Sequence, residues 1–146
     1  MRVDLPAGDR PASTGETVRP IRSESDLLAA RHAVRAAALA VGFDLVSQTK
    51  VVTAASELVR NAYVHGGGGA MTITRLVGLD GRRGLRLQVR DHGPGISDVT
   101  AALADGFSTS AGLGHGLGGI RLLVDEFTLD TAVGEGTTVT VVGWAS

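Results

Sequence analysis

Five of the eight residues from 112 to 119 are glycine, at 112, 114, 116, 118 and 119, and the run leads straight into the start of an apolar segment. Glycine gives up more backbone freedom on ordering than any other residue, so such a stretch is costly to fix unless something holds it. It also exposes backbone N–H groups, and beside a helix start these form an anion site suited to phosphates. A flexible hinge would use the same residues. Over the whole chain glycine accounts for 21 of 146 residues, about twice the ordinary ~7% usage. No collagen period accompanies it, and a hydrophobic content of 43% is too high for a disordered chain.

The length of 146 residues fits one compact domain with a core of its own. With no cysteine, and with histidines spread over 32, 65, 92 and 115, neither a disulfide framework nor a structural zinc pattern is expected. The 14 Lys+Arg against 15 Asp+Glu lack the basic surplus that nucleic-acid binding needs. No apolar run approaches the ~18 residues of a membrane span, so a soluble, cytoplasmic protein is expected. The sole lysine, Lys50, is followed by Val51, which excludes a Walker A loop and the strand lysine of eukaryotic-type protein kinases.

Residues 1–16 carry no periodic apolar pattern and read as a mobile lead-in, with the domain occupying 17–146. A short strand is expected over Val18 to Ile21, then a helix capped at Ser23 or Ser25 that Gly42 stops. A second helix spans about Ser47 to Val64, ended by the glycines at 66 to 69, with Val51, Val52, Ala55, Leu58, Val59 and Ala62 on one face. Strands follow at about Ala70 to Val77 and Leu85 to Asp91, joined through Asp80-Gly81. A short helical piece near Asp98 to Ala104, a long helix from Leu117 to Glu126, and strands over Phe127 to Val133 and Thr137 to Trp144 complete the chain. Three helices and four or five mainly antiparallel strands imply an α+β, two-layer sandwich with a mixed sheet and all helices on one face.

On the second helix Glu57 and Asn61 are four residues apart, so they project from one side, opposite the apolar face. A carboxylate and an amide so placed can hold a general base beside a divalent-ion ligand; alone, the pair is what many solvated helix faces show. Asp91 continues the inward parity of Leu85, Leu87 and Val89, and an inward carboxylate at a strand end must find donors. With Gly93, Gly95 and Ile96 behind it, it forms a floor for a flat, donor-bearing group such as an adenine amine, or else a tight turn. Thr137, inward with Val139 and Val141, offers a hydroxyl to a base or a water, or bonds locally in the core. In the absence of nearby lysine, phosphate charge falls to a metal ion, Arg60 or Arg121.

Glu57 to Asn61, Asp91-x-Gly93-x-Gly95, Gly112-x-Gly114-x-Gly116-Leu117 and Gly134-x-Gly136-Thr137 resemble, in order and spacing, the four nucleotide-binding boxes of the GHKL (Bergerat-fold) ATPase superfamily. Within it, Ser56 to Asn61, the run Asp105-Gly106-Phe107-Ser108-Thr109-Ser110-Ala111-Gly112-Leu113-Gly114, and Leu122 to Phe127 are similar to the RsbT-type stressosome switch kinases. The glycines at 66 to 69 depart from that pattern.

The resemblance implies an ATP- and Mg²⁺-dependent serine/threonine protein kinase acting on STAS-domain regulators and activating a PP2C-type phosphatase by binding it. The alternatives are an anti-sigma factor that sequesters a sigma factor, or a nucleotide-gated binding module with little catalysis. Glu57 would be the general base and Asn61 the metal ligand. Nucleotide contacts would come from Arg60, Asn61, Asp91, Gly93, Gly95, Ile96, Gly112, Leu113, Gly114, His115, Gly116, Leu117 and Thr137. The segment 98–118 is expected to order over bound phosphates.

Overall fold

A computed structural model describes residues 2–4, 11–104 and 116–146. Strand β1 (Arg2–Asp4) and strand β2 (Ala12–Ile21) precede helices α1 (Glu24–Ala40) and α2 (Leu45–Val64). Strands β3 (Gly69–Val77) and β4 (Arg83–Asp91) form a hairpin, followed by the short helices α3 (Val99–Leu103) and α4 (Leu117–Arg121). Strands β5 (Glu126–Ala132) and β6 (Gly136–Trp144) form the last hairpin. The six strands make one sheet in the order β1-β5-β6-β4-β3-β2, and every pairing among the described residues is antiparallel, so the sheet is not mixed.

Local chemistry accounts for the helix limits. The Ser23 hydroxyl accepts the Asp26 N–H at 3.2 Å as the N-cap of α1, and Asp44 accepts the Ser47 N–H at 2.8 Å as that of α2. At the end of α1, Phe43 N–H bonds the Ala38 carbonyl and Gly42 N–H the Leu39 carbonyl, a Schellman closure centred on Gly42. The expected apolar face of α2 is buried along its whole length, Val51, Val52, Ala55, Leu58, Val59 and Ala62 all lying at 4% exposure or less.

The core lies between the helices and one sheet face. Inward residues Met71, Ile73, Leu87, Val89, Phe127 and Val141 meet Val34 and Ala38 of α1 and the packed face of α2 in one cluster. Phe127, 1% exposed, contributes on the order of 1.5–3 kcal/mol by leaving water. The alanines of α1 and α2 leave little bulk between the helices, so the pair sits close over the sheet.

Three expectations need correction. Strand β2 begins at Ala12, not at Val18, and β1 pairs with β5, so residues 2–4 and 12–16 lie in strands. The strand shows no apolar alternation because it is an edge strand exposed on both faces as far as Pro20 and held by β3 alone. The sheet therefore has six strands, with four helices among the described residues. The helix expected from Leu117 to Glu126 stops at Arg121. Gly118 and Gly119 each cost a helix interior about 1 kcal/mol relative to alanine. Beyond Arg121 the Leu122 and Leu123 N–H groups bond three residues back, and the Asp125 N–H turns to the Val142 carbonyl of the sheet.

Candidate nucleotide site

One end of the sandwich holds a cavity of about 570 Å³. Its walls are the C-terminal half of α2, the inward ends of β4 and β6, the turn after Asp91, and the starts of α3 and α4.

Helical periodicity sets the first wall. Once Leu58, Val59 and Ala62 are buried, Glu57, Arg60 and Asn61 must face away from the core, and all three line the cavity. Glu57 and Asn61 are half-buried and Arg60 is exposed. Arg121 is exposed outside the lining, so of the two candidate cations Arg60 is the one brought to the cavity.

A row of three polar side chains crosses three strands at the floor, and of these Asp91 and Thr137 line the cavity while Thr131 is buried beside them. Asp91 of β4 pairs with Thr137 of β6, and Thr137 pairs with Thr131 of β5. The next row inward is Val89, Val139 and Leu129, all buried. Strand parity thus carries the apolar core up to the cavity and ends it in oxygen atoms. Asp91 Oδ1 accepts the Gly93 N–H at 2.9 Å, which closes the turn, and Oδ2 has no hydrogen-bond partner among the described residues. Thr131 Oγ1 lies 2.9 Å from Thr137 Oγ1, accepts the Ile96 N–H at 3.0 Å, and donates to the Gly136 carbonyl at 3.1 Å. Together with the Gly134 N–H to Pro94 carbonyl bond at 2.8 Å, this ties the Asp91 to Ile96 turn to the β5–β6 hairpin.

Two glycines have specific structural reasons. Gly95 has φ +75° and lies against the Ala132 carbonyl, where a side chain would meet both strain and overlap. At Gly66 the end of α2 runs against Asp91, and a methyl group would overlap its carboxylate, 2.7 Å from Oδ2.

Of the expected site residues, Glu57, Arg60, Asn61, Asp91, Gly95, Ile96, Gly116, Leu117 and Thr137 line the cavity. Gly93 does not; it packs against the Gly66 backbone and holds Asp91 through the turn. Gly112, Leu113, Gly114 and His115 lie outside the described residues, as does 105–111 of the segment expected to order over phosphates. Sequence reasoning missed Thr131, whose only signal is its inward parity opposite Thr137, and Gly66, which read as a helix stop. It also missed Asp98 and Ala101, which form a wall because Asp98 caps α3 by accepting the Ala101 N–H at 2.9 Å.

The donor set fits a magnesium ion carried in with a nucleotide. No cluster of three His, Cys, Asp or Glu exists among the described residues. Magnesium, however, takes one or two protein oxygens with phosphates and waters as its remaining ligands. Asn61 and Glu57 offer such oxygens one turn apart on the same wall. No described helix is long and apolar enough to cross a membrane.

Comparison with known proteins agrees with this geometry. Residues 21–142 match the histidine kinase-like ATPase domain family. The chain is 44% identical over 124 residues to the serine/threonine-protein kinase RsbT of Bacillus subtilis, covering 85% of this chain and 92% of that protein. It is 34% identical over 101 residues to an anti-sigma F factor of Anoxybacillus flavithermus, covering 64% and 67%. In fold it is similar to the crystal structure of the RsbU and RsbW domains of Rv1364c from Mycobacterium tuberculosis. The TM-score is 0.60 at 22% identity, over 89% of this chain and 32% of that one, so the chain spans about a third of the larger protein. With the four boxes in order, the antiparallel sandwich and a relative this similar over most of its length, the chain belongs to the histidine kinase-like ATPase domain family, among the RsbT-type kinases.

Proposed function

We propose that this protein is an ATP- and magnesium-dependent serine/threonine protein kinase of a partner-switching pathway. Its substrates are STAS-domain regulators, and it activates a PP2C-type phosphatase by binding it. The observation that carries the reading is the meeting of Glu57 and Asn61 with Asp91 and Thr137 around one cavity in a chain 44% identical to a serine/threonine-protein kinase.

The division of labour follows from chemistry. Asp91 Oδ2, which has no hydrogen-bond partner among the described residues, accepts from the adenine amine, with Thr137 beside it. Ile96 and Val89 supply apolar surface for the ring. Asn61 offers its amide oxygen to magnesium, which when bound neutralises phosphate charge. Arg60, the one arginine or lysine that lines the cavity among the described residues, serves the γ-phosphate. Glu57 takes the proton from the incoming serine or threonine hydroxyl, as general bases in phosphoryl transfer do.

A second reading, an anti-sigma factor that sequesters a sigma factor, is favoured by the 34% identity to an anti-sigma F factor. Purified STAS-domain proteins, sigma factors and PP2C phosphatases encoded nearby separate the two. Each is offered to the protein with and without ATP and magnesium, then scored for capture and for phosphate transfer. The kinase reading expects label on a STAS protein and nucleotide-dependent capture of the phosphatase. Stable capture of a sigma factor moves the protein to the second reading.

A further inference from the structure

The described helices pack on one face of the sheet and leave the other without a helical layer. Leu87 and Val89 of β4, Val139 and Val141 of β6, and Phe127 and Leu129 of β5 enter the core. Strand parity therefore turns Arg86 and Arg90, Thr138 and Thr140, and Glu126 and Asp130 to the open face. Arg90 and Asp130 are exposed there, and Arg86 and Glu126 are half-buried. The charges stand in two columns. Arg90, Thr138 and Asp130 form one row across the sheet, and Arg86, Val142 and Glu126 form another. Strand β4 thus presents two cations and β5 two carboxylates, with β6 between them. Strands two apart lie about 10 Å from each other, and the one ion pair between described residues is Arg82 with Asp80, elsewhere on the molecule. We propose that the open face pairs two copies of this protein about a two-fold axis along β6, the arginine column of each copy lying against the acidic column of the other.

Charge and symmetry choose the second copy as the occupant. Half a turn about β6 carries β4 of one copy over β5 of the other. Arg90 then meets Asp130 of the second copy, and Arg86 meets Glu126 of the second copy. Both pairs recur in the opposite direction, as an isologous interface requires. Half a turn about an axis across the strands would instead set Arg86 against Arg90, so like charges exclude that arrangement. Glu126 has an oxygen to spare, since the Trp144 indole N–H donates only to its Oε2, at 2.9 Å. Packed sheets keep their strands within about 30° of each other, which leaves the pairs beside the axis in reach. A face four strands wide and six residues long measures on the order of 19 by 20 Å. Two such faces bury on the order of 1,000 Å² together, the range of weak, reversible association. The pairing rests on exposed charges, so salt weakens it. It involves none of the residues around the nucleotide cavity and stands apart from the kinase reading.

Sedimentation velocity of the full chain, from micromolar to millimolar concentration and at low and high salt, tests this with two charge reversals. Wild type is expected to show a monomer–dimer equilibrium that shifts to monomer as salt rises. Arg90→Asp alone and Asp130→Arg alone are each expected to weaken self-association about tenfold or more, because each sets like charges face to face. An equimolar mixture of the two variants is expected to dimerise, since each copy then supplies the charge that the other lacks. The double variant R90D/D130R is expected to dimerise by itself for the same reason. Loss of fold cannot produce this recovery. Where a reversal fails to give a cooperative thermal transition, Arg90→Gln and Asp130→Asn are read in its place, and each is expected to weaken self-association. A wild type that stays monomeric throughout overturns the proposal. So does self-association unchanged in both single variants, which moves the contact to another face. Weakening without recovery in the mixture and in the double variant also overturns it, because the two charges would then not meet across the axis. A monomeric wild type that needs Arg90 and Asp130 to capture a different protein gives the face to that partner and likewise overturns the proposal.

Discussion

Asp91 and Thr137 face each other as registered partners on neighbouring antiparallel strands, at the row where the apolar core gives way to the cavity. Asp91 spends one carboxylate oxygen on the Gly93 N–H. The other is the strongest acceptor on the cavity floor, and replacing it by an amide removes that acceptor while keeping the shape. Asp91→Asn is expected to weaken ATP binding by about 1–3 kcal/mol, measured by calorimetry. Undiminished affinity would place the adenine elsewhere.

Gly66 is expected to behave as part of the base site although it contributes no functional group. A methyl at this position overlaps the Asp91 carboxylate, so either the carboxylate or the end of α2 has to move. Gly66→Ala should weaken ATP binding at least as much as Asp91→Asn, with a stability loss of about 1–3 kcal/mol from overpacking. Calorimetry and chemical denaturation check the two halves. Wild-type affinity in the variant would show that the carboxylate position is not critical.

The start of α2 gives a pH-dependent prediction. The Ser47 N–H, and then its hydroxyl, hold the Asp44 carboxyl below its ordinary value of 3.8, with Ser146 and Lys50 adding to the effect against a small opposing cost of burial. A group whose folded-state value is depressed adds stability above its unfolded value and loses it as the pH falls through the folded one. Asp44→Ala should therefore lower Tm near neutral pH, and the gap to wild type should close as the pH drops below 3.8. A gap that stays constant down to strongly acid pH would mean that the charge of the cap contributes nothing.

The parts of this structure legible in the sequence are those where burial imposes a period. The packed face of α2 fixed where Glu57 and Asn61 point, and the alternation of Leu85, Leu87 and Val89 carried Asp91 inward. Strand β2 was hidden because residues 12–20 are exposed on both faces, so no side of it needs apolar residues. Thr131 was hidden because a buried threonine differs from an exposed one only in its partners, and those come from Ile96, Gly136 and Thr137 in other parts of the fold. Gly66 read as the end of a helix because its contact with Asp91 spans a hairpin that the local sequence does not register. The short α4 reflects a balance between a favourable apolar pattern and two interior glycines, and the glycines prevail.

In the proposed kinase reaction Glu57 takes the proton of the incoming hydroxyl while other residues bind the nucleotide. Glu57 lines the cavity from α2, whereas the base floor lies on β4 and β6, so binding and catalysis are separable by mutation. The direct measurement is transfer of labelled γ-phosphate from ATP to a STAS-domain substrate by the Glu57→Ala variant, with ATP affinity measured on the same preparation. Near wild-type affinity with transfer reduced about 10²–10⁴-fold is the predicted result, that range being typical for loss of a general base. Transfer at the wild-type rate would contradict the account and assign the proton to another group.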